Sequence, residues 1–154
     1  MVFVAVFAFV FVGSAFVIVM REASERVRDK VRTLATEHAA GIAFVGYIYR
    51  FRFESIRART HRYPGLRPFA LLADSAGIQI YGPWRKRLRR EIKWSAVAHV
   101  KFDILQARGY SVDGLKVIGV SEGDCIDIKP GVPDLFDLIR DLEALRAGSP
   151  RIAT

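Results

Sequence analysis

The segment Val2–Val19 reads VFVAVFAFVFVGSAFVIV and constrains this chain more than any other feature. It holds no charged residue, and only Gly13 and Ser14 interrupt its apolar side chains. As a helix it would rise roughly 27 Å at about 1.5 Å per residue, close to a hydrocarbon core of roughly 30 Å. Val, Phe and Ile each favour insertion near the membrane centre by roughly 0.3–0.6 kcal/mol. A soluble helix apolar on every side needs partners all round, and the rest of a 154-residue chain is too small to supply them. Residues 1–20 therefore read as a transmembrane anchor. A cleaved signal peptide carries a positive leading region and a small-residue cleavage site. Here no Lys or Arg precedes the apolar run, and Val19-Met20-Arg21 is a poor place to cut.

Flanking charge sets the orientation. Arg21, Arg26, Arg28, Lys30 and Arg32 follow the run, and none precedes it. Basic residues stay cytoplasmic, so we expect a single pass through the cell (inner) membrane, N-terminus outside and the rest in the cytoplasm. Cys125, the single cysteine, excludes a disulfide framework and a thiolate zinc site and fits a reducing compartment. Gly13, Ser14 and Ala15 make a small-residue patch where a membrane protein partner could approach; ordinary variation along a span reads equally well.

Past the anchor, residues 21–40 read as a polar helical stalk. Val27, Val31 and Leu34 share one helical stripe among charges, with Glu22–Arg26 an attractive pair and Glu25–Asp29 a repulsive one. From Gly41 the period becomes two. Tyr47, Tyr49, Phe51 and Phe53 alternate with Ile48, Arg50, Arg52 and Glu54, predicting a half-buried strand. Phe69–Ala73 and Gly77–Tyr81 flank a hairpin turn at Asp74-Ser75-Ala76-Gly77. Glu91–Trp94 is a short strand. Val100, Phe102 and Ile104 alternate with His99, Lys101 and Asp103, and Asp113-Gly114 and Glu122-Gly123-Asp124 read as turns. Pro133 is placed to open a closing helix, with Leu135, Leu138, Ile139, Leu142 and Leu145 on one face and Gly148 and Pro150 at its end. Trp94, Leu138 and Leu142 are the expected core residues. Residues 148–154 form a tail.

One helix, a stalk, about seven short strands and one capping helix predict a mostly β fold, a small barrel or sandwich. The order resembles a pleckstrin-homology-like domain beside a membrane anchor, as in bacterial membrane proteins. Ala73–Ile80 resembles that family's D-x-x-G-hydrophobic hairpin, Glu91–Val100 its I-x-W-x-x-I-x-x-V stretch, and Pro133–Ala147 its closing helix. The resemblance implies a seven-stranded bent sandwich over residues 41–147 and a binding or scaffold role. The headgroup motif of some members is matched only loosely by Arg50, Arg57 and Arg59, without the usual Lys.

The chain carries a net +8, unevenly spread. Arg85, Lys86, Arg87, Arg89, Arg90 and Lys93 oppose only Glu91; Arg50, Arg52, Arg57, Arg59, Arg62 and Arg67 oppose only Glu54. Residues 121–147 hold seven acids and three bases. Trp84 and Arg85, Lys86, Arg87, Arg89 and Arg90 are therefore candidates to face anionic lipid or a partner, as an exposed hairpin loop. A plain solvated basic surface is the competing reading. Nucleic acid is disfavoured: Trp84 is the sole aromatic at the Arg85–Lys93 run, and no recognition motif appears. His38, His61 and His99 stand apart in sequence, no nucleotide or metalloprotease motif occurs, and Asp124 and Asp127 read as the solvated face of a strand. The expectation is a non-catalytic, cofactor-free and metal-free module. The alternative is an accessory or regulatory subunit of a membrane enzyme or transport complex.

Overall fold

The computed structural model describes residues 2–53, 61–62, 67–84, 88–107 and 109–148, with the side chains of 2–16, 61–62, 88 and 107 excepted. Helix α1 (Val2–Glu37) leads into strands β1 (Ile42–Arg52), β2 (His61–Arg62), β3 (Pro68–Ala73), β4 (Gly77–Tyr81) and β5 (Leu88–Lys93). A 3₁₀ turn (Trp94–Ala96) turns the chain into β6 (Val97–Ala107), β7 (Tyr110–Gly119), β8 (Cys125–Pro130) and helix α2 (Leu135–Gly148). Seven strands run antiparallel in the order β5-β4-β3-β1-β8-β7-β6, curled into a half-barrel, and the short β2 pairs with the end of β1. The fold is mostly β with two helices.

Local chemistry explains the turns. Asp74 accepts the N–H groups of Ala76 and Gly77 at 2.8 and 3.3 Å, closing the β3–β4 hairpin. At Gly77 a Cβ would stand 2.1 Å from the Ile92 carbonyl, so only glycine fits against β5. Trp94, 3% exposed, fills the β5–β6 corner and donates its indole N–H to the Asp74 carbonyl at 2.6 Å. Asp134, not Pro133, caps α2: its carboxylate accepts the Asp137 N–H at 2.9 Å and Pro133 lies one residue outside. Leu138 and Leu142 drop from α2 into the core with Phe44, Ile48, Phe51, Leu115, Val117 and Ile126.

Three sequence expectations are corrected. A bulge between Ile48 and Arg50 flips β1, so Ile48, Phe51 and Phe53 are buried while Tyr47 and Tyr49 face the other way. In β6 a register shift between Val97 and His99 keeps Val97 and Val100 inside. Farther along, Phe102 and Ile104 are exposed, at 37% and 53%, although they share the alternation of Val100, and Leu105 is the residue buried instead. Asp113-Gly114 is not a turn. Both residues pair within β7, the turn lies at Gly109 (φ +91°), and bare Gly114 lets Leu105 approach.

The expected stalk is also corrected. Residues 21–37 lie on the sheet, where Val27 and Leu34, each 1% exposed, pack with Ala70, Leu72, Tyr81 and half-buried Val31, Ala43 and Val45. With the main core inside and α1 outside, β3 is buried at every position. Leu34→Ala should therefore cost about 2–5 kcal/mol in denaturant unfolding of the detergent-solubilised chain. Arg32→Ala, whose ion pair with Asp29 is exposed, should leave the curve unmoved. Equal, negligible effects would restore the stalk. Among the described residues no helix is long and apolar enough to cross a membrane. The side chains of residues 2–16 lie outside that description, so the anchor reading stands on the sequence.

Candidate functional site: the basic edge beside the first helix

Four contacts, about a helical turn apart, set how α1 lies on the sheet. The Arg26 guanidinium sits 5.1 Å from the Trp84 ring centroid, and Lys30 Nζ sits 5.0 Å from that of Tyr81. Leu34 packs in the cluster that holds Leu72, and His38 Nδ1 lies 3.9 Å from Asp74. The apolar half of α1 therefore extends from the Trp84 end of the sheet, and the Asp74 hairpin lies at the other. Ala70 pairs with Tyr81 at the end of the β3–β4 ladder, and Arg67 and Trp84 each lie three residues beyond it. Both basic segments leave the described sheet at this end: one after β1, touching the sheet again at β2 before β3, the other after Trp84, returning at Leu88.

The side chains there divide in two. Trp84 is half-exposed, at 49%. Arg89 and Arg90 lie within β5 rather than in a loop. Arg89 is exposed and its guanidinium sits 5.6 Å from the Phe69 ring; half-buried Arg90 sits 4.5 Å from that of Phe51. Arg90 thus covers a core aromatic, which corrects its expected place on an exposed loop. Phe51 and Phe53, tilted at 48° with centroids 6.1 Å apart, are both 1% exposed and fill the interior here. Arg85, Lys86, Arg87, Arg57 and Arg59 lie outside the described residues, as do the side chains of Gly13, Ser14, Ala15, His61 and Arg62.

The acidic side brings a second correction. Asp124 and Asp127, expected on a solvated face, are 4% and 8% exposed. Asp127 stands between Arg50 Nε at 3.5 Å and Lys116 Nζ at 3.7 Å, and Lys116 also bonds Asp103. Burial raises the Asp127 carboxyl above its ordinary value, while Lys116 and Arg50 pull it back. The Lys116 hydrogen bond lowers Asp103, and the same bond raises Lys116. Asp127 Oδ1 accepts no hydrogen bond among the described residues, so the row is held by charge more than by fitted geometry. The Tyr49 hydroxyl is pushed up to about 12, by burial first and then by its hydrogen bond with Tyr110.

Sequence reasoning missed one surface. Phe102 and Phe136, 37% and 68% exposed, stack at 5.5 Å with an 18° interplanar angle, and Ile104 beside Phe102 on β6 is 53% exposed. Phe136 falls outside the apolar stripe of α2, which was the available signal. Among the described residues no group of three or more His, Cys, Asp or Glu could hold a metal. His38 stands beside Asp74, while His99 is exposed on β6. No model of a known protein family matches this chain, and no curated protein matches it.

Proposed function

We propose that this chain is a single-pass membrane protein carrying a pleckstrin-homology-like domain on the cytoplasmic face, working as a non-catalytic binding or scaffold module. The observation that carries the reading is the continuity of α1: one helix begins in the apolar run and ends packed on the sheet. The strand order and the closing α2 agree with the resemblance drawn from the Trp94 stretch. Positive charge on the side of the anchor agrees with a cytoplasmic domain. With aromatic rings filling that end of the half-barrel, the module would work through its surface rather than through a headgroup pocket.

A reporter fused after Thr154 tests the reading. Activity only in the cytoplasmic format is expected, with the protein retained in membranes after alkaline extraction. Periplasmic activity would overturn the orientation and, with it, the electrostatic argument.

A second reading, an accessory subunit of a membrane enzyme or transport complex, is favoured by the stacked Phe102–Phe136 pair. Exposed aromatic surface of this kind suits a protein partner. Under that reading a stoichiometric partner copurifies in mild detergent and is lost in the F102S/F136S variant. A protein that purifies alone supports the first reading.

A further inference from the structure

We propose that the surface formed by Phe102, Ile104 and Phe136 docks a second copy of this chain about a two-fold axis. This deepens the second functional reading by putting the chain itself in place of an unrelated partner. The geometry stands on the described residues; only the strength of the contact rests on the anchor.

The surface has a direction. Phe136, near the start of α2, stacks on Phe102, and the Glu143 carboxylate, two turns later, accepts the Val100 N–H. α2 thus runs beside β6 from Phe102 towards Val100. Ile104 lies on the other side of Phe102, and Asp113 of β7 stands opposite it in register, where side chains share a face. Arg140 follows Phe136 by four residues, so these two are neighbours on the helix surface. An acid therefore stands at one end, a base at the other, and three exposed apolar side chains between them. Asp113 is exposed and joins no ion pair among the described residues. Arg140, 70% exposed, bonds Asp137 at 2.7 Å and can share a further carboxylate.

This order is complementary to itself. Turned about a two-fold axis near Phe102, a copy lays its apolar side chains on their counterparts and brings Asp113 to Arg140 at both ends. A partner carrying one sign of charge would meet a like charge at one end. Side chains, not backbone, make the contact. β6 is the last strand of the sheet, but the Val100 N–H is held by Glu143 and the Ile104 N–H by the Asp103 carboxylate at 3.0 Å. An edge guarded in this way resists an added strand. Three apolar residues from each copy fall short of the roughly 1,200 Å² of a stable complex. Two anchors sharing one bilayer supply the remaining strength as effective concentration.

The test uses the full chain with Cys125→Ser, reconstituted in vesicles, and a short bis-maleimide. Asp113→Cys and Arg140→Cys proteins should cross-link when mixed and hardly at all when each is alone, because the two-fold holds like positions at opposite ends. Energy transfer between copies labelled after Thr154 should fall several-fold in F102S/F136S, in D113R and in R140E, and return in D113R/R140E. No transfer in the wild type, equal cross-linking of single and mixed samples, or no recovery in the double reversal overturns the proposal. Alkaline extraction of the same vesicles separates the causes. Retention without cross-linking defeats the dimer alone. Release defeats the anchor reading, and the same mixture in concentrated solution then decides for or against the contact.

Discussion

Trp94→Ala should destabilise the protein by about 3–5 kcal/mol, the range for emptying a large buried aromatic site. Trp94 closes the corner between β5 and β6, and its truncation does two things at once. It opens a cavity beside Ile92 and Val97, and it deprives the Asp74 carbonyl of the indole donor at 2.6 Å. Trp94→Phe separates these effects. It keeps most of the packing and loses the hydrogen bond, so its cost should be closer to the 1–3 kcal/mol of an unsatisfied buried group. Denaturant unfolding of the detergent-solubilised chain reads both. An unmoved midpoint in the alanine variant would mean that Trp94 does not bear on the core.

Lys116→Met should cost about 2–4 kcal/mol at neutral pH, below the full range for breaking a buried pair because Lys116 is about a quarter exposed. The substitution leaves Asp127 facing only Arg50 and takes from Asp103 the bond that lowers its carboxyl. The sign with pH is fixed by these shifts. A carboxyl raised in the folded state stabilises most below its unfolded value and loses that contribution as pH rises through the folded one. A lowered carboxyl stabilises above its unfolded value and loses that contribution as pH falls through the folded one. In the wild type Asp127 and Asp103 work in opposite senses. In the variant Lys116 no longer restrains the rise at Asp127 or supports the lowering at Asp103. The cost of Lys116→Met should therefore shrink from neutral pH towards about pH 4 as Asp127 protonates, and the share from Asp103 should go only below about pH 4. A cost that is constant over that window would mean that lost packing, not charge, explains the effect.

Features written in short stretches were legible. Asp74 to Gly77 encodes its own turn, Trp94 its corner, and the leucine stripe of α2 its buried face. The Val27–Leu34 stripe was visible too, but a period tells which face of a helix is buried and not what buries it. The companion signal lay in Phe69–Ala73, an unbroken apolar run of the kind that marks a strand covered on both sides. Bulges were out of reach, because one extra residue at Tyr49 exchanges inside for outside without changing composition. So was the burial of Asp127, whose cation comes from Lys116 on the neighbouring strand, opposite it in register. For the candidate edge, Trp84 and the charge excess were legible, while the stacking of Arg90 on Phe51 depends on strands distant in sequence.

The unbroken run of α1 from Val2 to Glu37 has a mechanical consequence on the anchor reading. A domain joined to its span by a loop can swivel, and whatever moves the span is lost in the joint. Here the span and the outer cover of β3 are the same rod, so motion of one is motion of the other. The packed portion extends roughly 25 Å beyond Met20 at about 1.5 Å per residue. A change of about 10° in the inclination of α1, well inside the range of about 0–40° found for membrane helices, would sweep its far end sideways by about 4 Å. Bilayer thickness or lateral pressure would thus be converted directly into displacement of the Asp74 hairpin, with the half-barrel as the pointer of the gauge.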